Sequence, residues 1–203
     1  MKSLEFYVNK VKYTEGIENA DVGFIAALNR RRMSSLDKMA AAALNDCITE
    51  TTKNIIFSSQ KGEFERLIKI IEQYKTEGET SPAIFSGSVH NFAVSSYLMN
   101  IKKPLQYNAI ASGKDTVISG ILSAVISNYD ESLFVYSDIE NEIYTCLCLN
   151  ISKTKKENSQ KFRITLINNS DKTNSIKDFA NFFSSDVKLM KTNICTIERI
   201  KNV

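Results

Sequence analysis

The chain has 203 residues, 43% of them hydrophobic, enough to bury one substantial core, and the length favours a single domain over 1–203. With 26 basic against 23 acidic side chains and a formal charge of +3, it carries no strong field for nucleic acid or an anionic membrane surface. The opening "MKSLEFYVNKV" lacks the apolar core of a signal peptide, and the longest apolar stretch, "TVISGILSAVIS", is too short and interrupted to span a bilayer. A cytoplasmic protein without membrane insertion is therefore expected.

In chain order, apolar residues recur at helical spacing from Leu36 through Met39, Ala40, Ala43, Leu44, Cys47 and Ile48, and Ser34 with Asp37 resembles a capping box, which predicts a helix over 34–48. "NIIFSS" (54–59) predicts a short buried strand. A second helix follows "QKG", with Phe64, Leu67, Ile68, Ile71 and Tyr74 on its apolar side. After the loop "TEGETSP", the small-residue-rich "SVHNFAVSSYLM" (88–99) predicts a helix that Pro104 stops, with Ala93, Ser95 and Ser96 allowing close backbone approach.

"LQYNAIASGKDTVISGIL" then reads as a strand (105–110), a tight turn at Ser112-Gly113 and an apolar helix (114–127). "SLFVYSD" (132–138) is a further strand, and the alternation of helices and strands predicts a mixed α/β sheet covered by helices. From about 142 the chain turns strand-rich. "EIYTCLCLNI" and "KFRITLIN", joined by the polar "SKTKKENSQ", suggest a hairpin from Glu142 to Asn168 with a long loop; a short helix "IKDFANFF" and a last strand "NICTIERI" follow. There is no internal repeat, low-complexity tract or interdomain linker.

Chemistry-bearing residues are few. Cys47, Cys146, Cys148 and Cys195 fit no paired metal-ligand spacing and read as reduced, buried, inert thiols, Cys146 and Cys148 sharing one face of a strand. His90 is the sole histidine, which excludes a multi-histidine metal site within the chain, and neither a G-x-S-x-G elbow nor a phosphate loop is present. No metal and no cofactor is expected.

The stretch "SPAIFSGSVHNFAVSSYLMNIKKPLQYNAIASGKDTVISGILSAVI", continued by "SLFVYSD", resembles the N-terminal half of β-ketoacyl synthases of the thiolase-like superfamily. In that family a helix containing asparagine precedes a strand that runs into "A-C-x-S-G" and the nucleophile helix. Asn91 matches the asparagine, Ala109 the alanine and Ser112-Gly113 the last two residues, so the nucleophilic cysteine falls on Ile110. A thiolate attacks a thioester, and an isoleucine cannot. The resemblance extends less specifically upstream through "RRRMSSLDKMAAAALNDC" and covers Arg30 to Asp138. A full synthase has a second α/β half that supplies catalytic histidines, and here the chain ends before one could be built.

The resemblance thus implies a truncated thiolase-like domain without condensing activity, similar to the short chain length factors of aryl polyene and type II polyketide systems. Such a subunit pairs with an active ketosynthase, as a heterodimer or a dimer of heterodimers, meets the acyl carrier protein indirectly, and shapes the tunnel of the growing chain. The residues implied at interface and tunnel are Ser88, Val89, His90, Asn91, Phe92, Ser95, Ser96, Tyr97, Leu105, Tyr107, Ala109 and Ile110, with Phe92 and Tyr97 the first candidates for setting chain length. Two other readings compete. A stand-alone hydrolase or acyltransferase would use His90 as base with Ser88, Ser95 or Ser112. A nucleic-acid module would use Arg30, Arg31 and Arg32 with Lys153, Lys155 and Lys156, although the arginine run fits docking of an acidic protein better.

Overall fold

The computed structural model describes residues 3–140, 142–167 and 172–201. Its elements are β1 (Ser3–Glu15), α1 (Ala27–Arg30), α2 (Ser35–Cys47), β2 (Asn54–Ser58), α3 (Phe64–Glu77), α4 (Pro82–Gly87), α5 (Phe92–Ile101), β3 (Gln106–Ile110), α6 (Thr116–Ile126), β4 (Glu131–Glu140), β5 (Ile143–Ser152), β6 (Gln160–Leu166), α7 (Ile176–Ser184), β7 (Leu189–Lys191) and β8 (Cys195–Ile200). The strands form one mixed sheet in the order β3-β2-β4-β5-β1-β6-β8-β7. β3, β2 and β4 are parallel, and the remaining neighbours are antiparallel. Among the described residues no helix is long and apolar enough to cross a membrane.

The near-continuous apolar runs of β4 and β5 reflect cover on both faces of the sheet. Leu133, Val135, Cys146 and Cys148 point to the side of α2 and α5; Phe134, Tyr136, Leu147 and Leu149 point to the side of α6 and α7. The predicted capping box forms as read: Asp37 N–H donates to Ser34 Oγ (3.0 Å) and Ser34 N–H donates to Asp37 Oδ2 (2.9 Å). Ser175 and Asp178 repeat the motif at the start of α7.

Several expectations are corrected. The opening residues form β1, the longest strand, which the sequence reading passed over. Its inward residues are Phe6 and Val8, then Val11 and Tyr13, because the register slips between Val8 and Lys10; the bulge breaks the alternation that would have announced the strand. β1 also abolishes the expected hairpin, since it lies between β5 and β6, and β5 instead turns back directly on β4, with Glu142 at φ +67°. Asn168, where that hairpin was to end, lies outside the described residues. The helix expected from Ser88 starts at Phe92, and the unassigned stretch between it and the loop "TEGETSP" holds α4, opened by Pro82 in its first turn, where a missing N–H costs nothing. β7 was not anticipated.

One buried carboxylate fastens the lower end of the sheet. Glu131, at the start of β4, is 2% exposed. Its Oε1 accepts from Thr49 (2.5 Å), Thr52 (2.7 Å) and Asn150 (2.9 Å), and Oε2 accepts from Thr51 (2.7 Å) and Lys156. Burial alone would raise its proton affinity, but the donors from Lys156, Thr49, Thr51 and Thr52 outweigh it and hold the carboxyl at about 2 against an ordinary 4.5. A depressed folded-state value gives stability that is complete above the unfolded value and lost as pH falls through the folded one, here a contribution of about 3 kcal/mol. Urea unfolding at pH 7 should show Glu131→Gln less stable than wild type by about 2–4 kcal/mol. Between pH 4.5 and 2 the wild type should lose that advantage and the two curves should converge.

Candidate functional site

At the free edge of the sheet, β3 ends at Ile110, which lies level with Ser58 of β2. A 3-10 turn over Gly113–Asp115, with Gly113 at φ +55°, leads into α6. Thr116 closes the turn: Ser112 N–H donates to its Oγ1 (2.9 Å), and that hydroxyl donates to the Gly113 carbonyl (2.7 Å). Asn193, from the loop before β8, reaches Asp115 Oδ2 (3.0 Å). The strand, turn and helix read from the sequence are therefore present. Ile110 is half-buried against the core on the α6 side, while Ala111, Ser112, Gly113 and Lys114 are exposed.

Below the turn, Asp138 at the end of β4 accepts from Ser59 Oγ (3.0 Å) and from the N–H groups of Gln60 (2.6 Å), Lys61 (2.9 Å) and Ile139 (2.8 Å). This fully occupied carboxylate holds the segment after β2 against β4. Ser59 N–H in turn donates to the Ile110 carbonyl (3.3 Å), so the end of β3 is held by the same assembly. The residue that closes the strand, Ile110, presents a hydrocarbon side chain half-buried against the core.

His90 lies in the turn between α4 and α5, its ring edge-on to Phe57 (5.6 Å between centroids) and packed over Gly62, whose φ of +58° and lack of a side chain make room for it. Its Nε2 has no hydrogen-bond partner among the described residues. The Ser88 and Ser95 hydroxyls donate instead to the carbonyls of Phe85 (2.8 Å) and Phe92 (3.0 Å), so the serine–histidine pairs that a hydrolase needs are not assembled. Of the other expected interface residues, Val89, Asn91 and Ala109 are exposed, Phe92, Leu105 and Tyr107 are half-buried, and Ser96 is buried. Tyr97 is sealed in the chain's own core, edge-on to Phe24 (6.1 Å), its hydroxyl unpartnered.

α3 departs most from expectation. An apolar helix side ordinarily faces a core, yet none of the α3 residues is buried: Ile71 is 42% and Tyr74 62% exposed, and Phe85 of α4 adds 58%. Sequence periodicity finds an apolar stripe but does not say what covers it. This two-helix arm is tied to the body by Tyr144, whose hydroxyl donates to Glu65 (3.3 Å), by Ser34, which donates to Glu63 (2.6 Å), and most extensively by Arg66. The Arg66 guanidinium donates to the carbonyls of Gly87 (2.6 Å) and Arg32 (2.8 Å), pairs with Asp37 (3.1 Å) and Glu63 (3.1 Å), and lies over the Phe92 ring. Burial and the neighbouring Glu63 raise the proton affinity of Asp37, against the Ser34 hydrogen bonds and the Arg66 charge. Nothing in the sequence pattern singled out Arg66; an arginine beside an apolar stripe is the one signal available. Among the basic residues of the nucleic-acid reading, Lys156 is committed to Glu131.

The family model described as the β-ketoacyl synthase N-terminal domain matches residues 8–160. Among solved structures, a chain of the ketosynthase ApeO in complex with its chain length factor ApeC from Xenorhabdus doucetiae superposes with a TM-score of 0.75 at 16% identity, over 98% of this chain and 100% of that one. The ishigamide ketosynthase/chain length factor gives a TM-score of 0.55 at 9% identity, over 68% of this chain and 50% of that one. No curated protein sequence matches the chain significantly.

The thiols provide a test of the elbow. All four cysteines are buried; burial raises the thiol values of Cys146 and Cys148 and pushes Cys195 up to about 11. The native chain should therefore resist iodoacetamide at neutral pH, whereas Ile110→Cys, placed at a half-exposed strand end ahead of the α6 amino terminus, should take up one adduct by intact mass. Equal labelling of both proteins would refute this placement of Ile110.

Proposed function

Because the chain belongs to the β-ketoacyl synthase N-terminal domain family, we propose that it is a non-catalytic chain length factor that pairs with an active ketosynthase and helps shape the tunnel of the growing acyl or polyene chain. The observation that carries this reading is the free edge of β3, which ends in Ile110 where the family places its nucleophile. Thioester attack needs a thiolate at that point, and the single histidine of the sequence cannot supply the pair that steadies the developing enolate. A chain of an assembly described as a ketosynthase with its chain length factor has the same fold and nearly the same length, which supports the assignment.

The surface around β3 suits an obligate partner. A strand pairing antiparallel with β3 across a pseudo-twofold axis would complete backbone hydrogen bonds now open to water. The exposed stripe of α3 and Phe85 of α4 would supply the apolar area that such interfaces bury. Phe92, half-buried at the surface under Arg66, takes the length-setting role; Tyr97, sealed inside, contributes only by supporting α5. The acyl carrier protein meets the pair through the ketosynthase, with Arg31 and Arg32, both exposed, as an auxiliary contact for its acidic surface.

Coexpression with the ketosynthase encoded beside it, one subunit tagged, should yield a one-to-one complex or a two-plus-two assembly by native mass spectrometry. A monomer that ignores the ketosynthase would sink the proposal. In the same experiment Leu67→Glu with Ile71→Glu should abolish copurification while shifting the chain's own stability by less than about 1 kcal/mol, because both side chains are already partly in water.

A further inference from the structure

A groove of about 470 Å³ runs between β3 and the second half of α6. α6 packs mainly over β2 and β4 and meets β3 less, so beyond Ile110 the same face of β3, at the edge, is left open. The groove is neutral: its polar lining is Asn54, Asn108, Asn128, Ser123, Ser127 and Tyr129, and none of the described residues that line it is charged. At its inner end lies Asn54, the first residue of β2, only 2% exposed. The Asn54 amide donates to Ser132 Oγ (3.2 Å), itself shared with Ser127 Oγ (2.9 Å), and its Oδ1 has no partner. Turning the amide over changes which atom is left alone, not the fact that one is. Buried amides are almost always satisfied, so an orphan opening on a neutral groove points to a missing hydrogen-bonding group.

We propose that this groove receives one long neutral side chain, a glutamine or a tyrosine, carried by the partner strand that pairs with β3. The inference rests on the pairing put forward above and specifies its chemistry. A strand added to β3 lies about 4.8 Å away and turns alternate side chains toward the α6 side, across the mouth of the groove. Asn54 is one strand further in, about 10 Å from the added backbone, beyond the reach of serine or threonine. A carboxamide or a phenol both donates and accepts, and so satisfies Asn54 in either orientation. A lysine or a glutamate would bring a charge into a recess that offers no counter-charge.

The test uses the complex itself. Asn54→Leu removes the orphan group at nearly constant volume, so the chain's own thermal midpoint should be unchanged or higher, while the dissociation constant for the ketosynthase should rise roughly 10-fold or more. Alanine at the glutamine or tyrosine on the partner's edge strand, which leaves this chain intact, should give a similar loss, and the two changes combined should cost little more than either alone. Unchanged affinity for Asn54→Leu, or fully additive effects, would overturn the inference while the pairing stands. Failure of the wild-type chain to bind the ketosynthase would remove the pairing, and this pocket with it.

Discussion

Everything in the molecule is referred to β4. It is shared by both cores, with Leu133 and Val135 facing α2 and α5 and Phe134 and Tyr136 facing α6 and α7. It is also where the sheet changes sense, parallel toward β2 and antiparallel toward β5. Each end carries a buried carboxylate, Glu131 below and Asp138 above, that gathers the neighbouring loops by hydrogen bonds. Unpaired, either charge would be costly to bury, so the loops that supply the donors are fixed as firmly as the strand. Register then passes outward: Ser58 of β2 lies level with Tyr136 of β4, and Ile110 of β3 lies level with Ser58. The position of the elbow is set three strands deep, not by the turn that displays it.

That transmission, together with contacts of the turn itself, sets the geometry of the elbow. Gly113, the Thr116 cap and the Ser59 contact to Ile110 are requirements of the fold at the end of β3, and none of them involves thiol chemistry. Ile110, at this point, adds apolar contact with the core.

What was legible in the sequence follows from how local its cause was. α2, α6 and α7 were found because helical periodicity and capping residues act within a turn or two, and β2, β4 and β5 because burial on both faces writes an unbroken apolar run. β1 was missed because its bulge shifts the inward positions from even to odd at Asn9, leaving neither period intact. The mistaken pairing of β5 with β6 has the same root: chain proximity suggested a hairpin, and the strand separating them comes from the other end of the chain. Of the candidate site, residues 105–116 were readable as strand, turn and helix. Arg66, whose partners come from α2, the segment before it and the end of α4, was not, since its role exists only once those segments have met.

The two edges of the sheet argue in opposite directions about company. β7, at one end, has three residues, is flanked by Lys188 and carries Lys191, the ordinary means by which an edge is kept from pairing. β3, at the other, has no charged residue and no proline within Gln106–Ile110, and it presents five consecutive residues with one row of backbone groups open. Nearby on the chain lies an amphipathic helix whose apolar stripe is only partly covered among the described residues, held in place by an arginine that contacts the body. One edge is protected and the other is left bare, and the partly exposed apolar side of α3 lies outside the cores as well. The groove beside β3, ending in an amide with a bond to spare, lies where side chains of an added strand would come to rest.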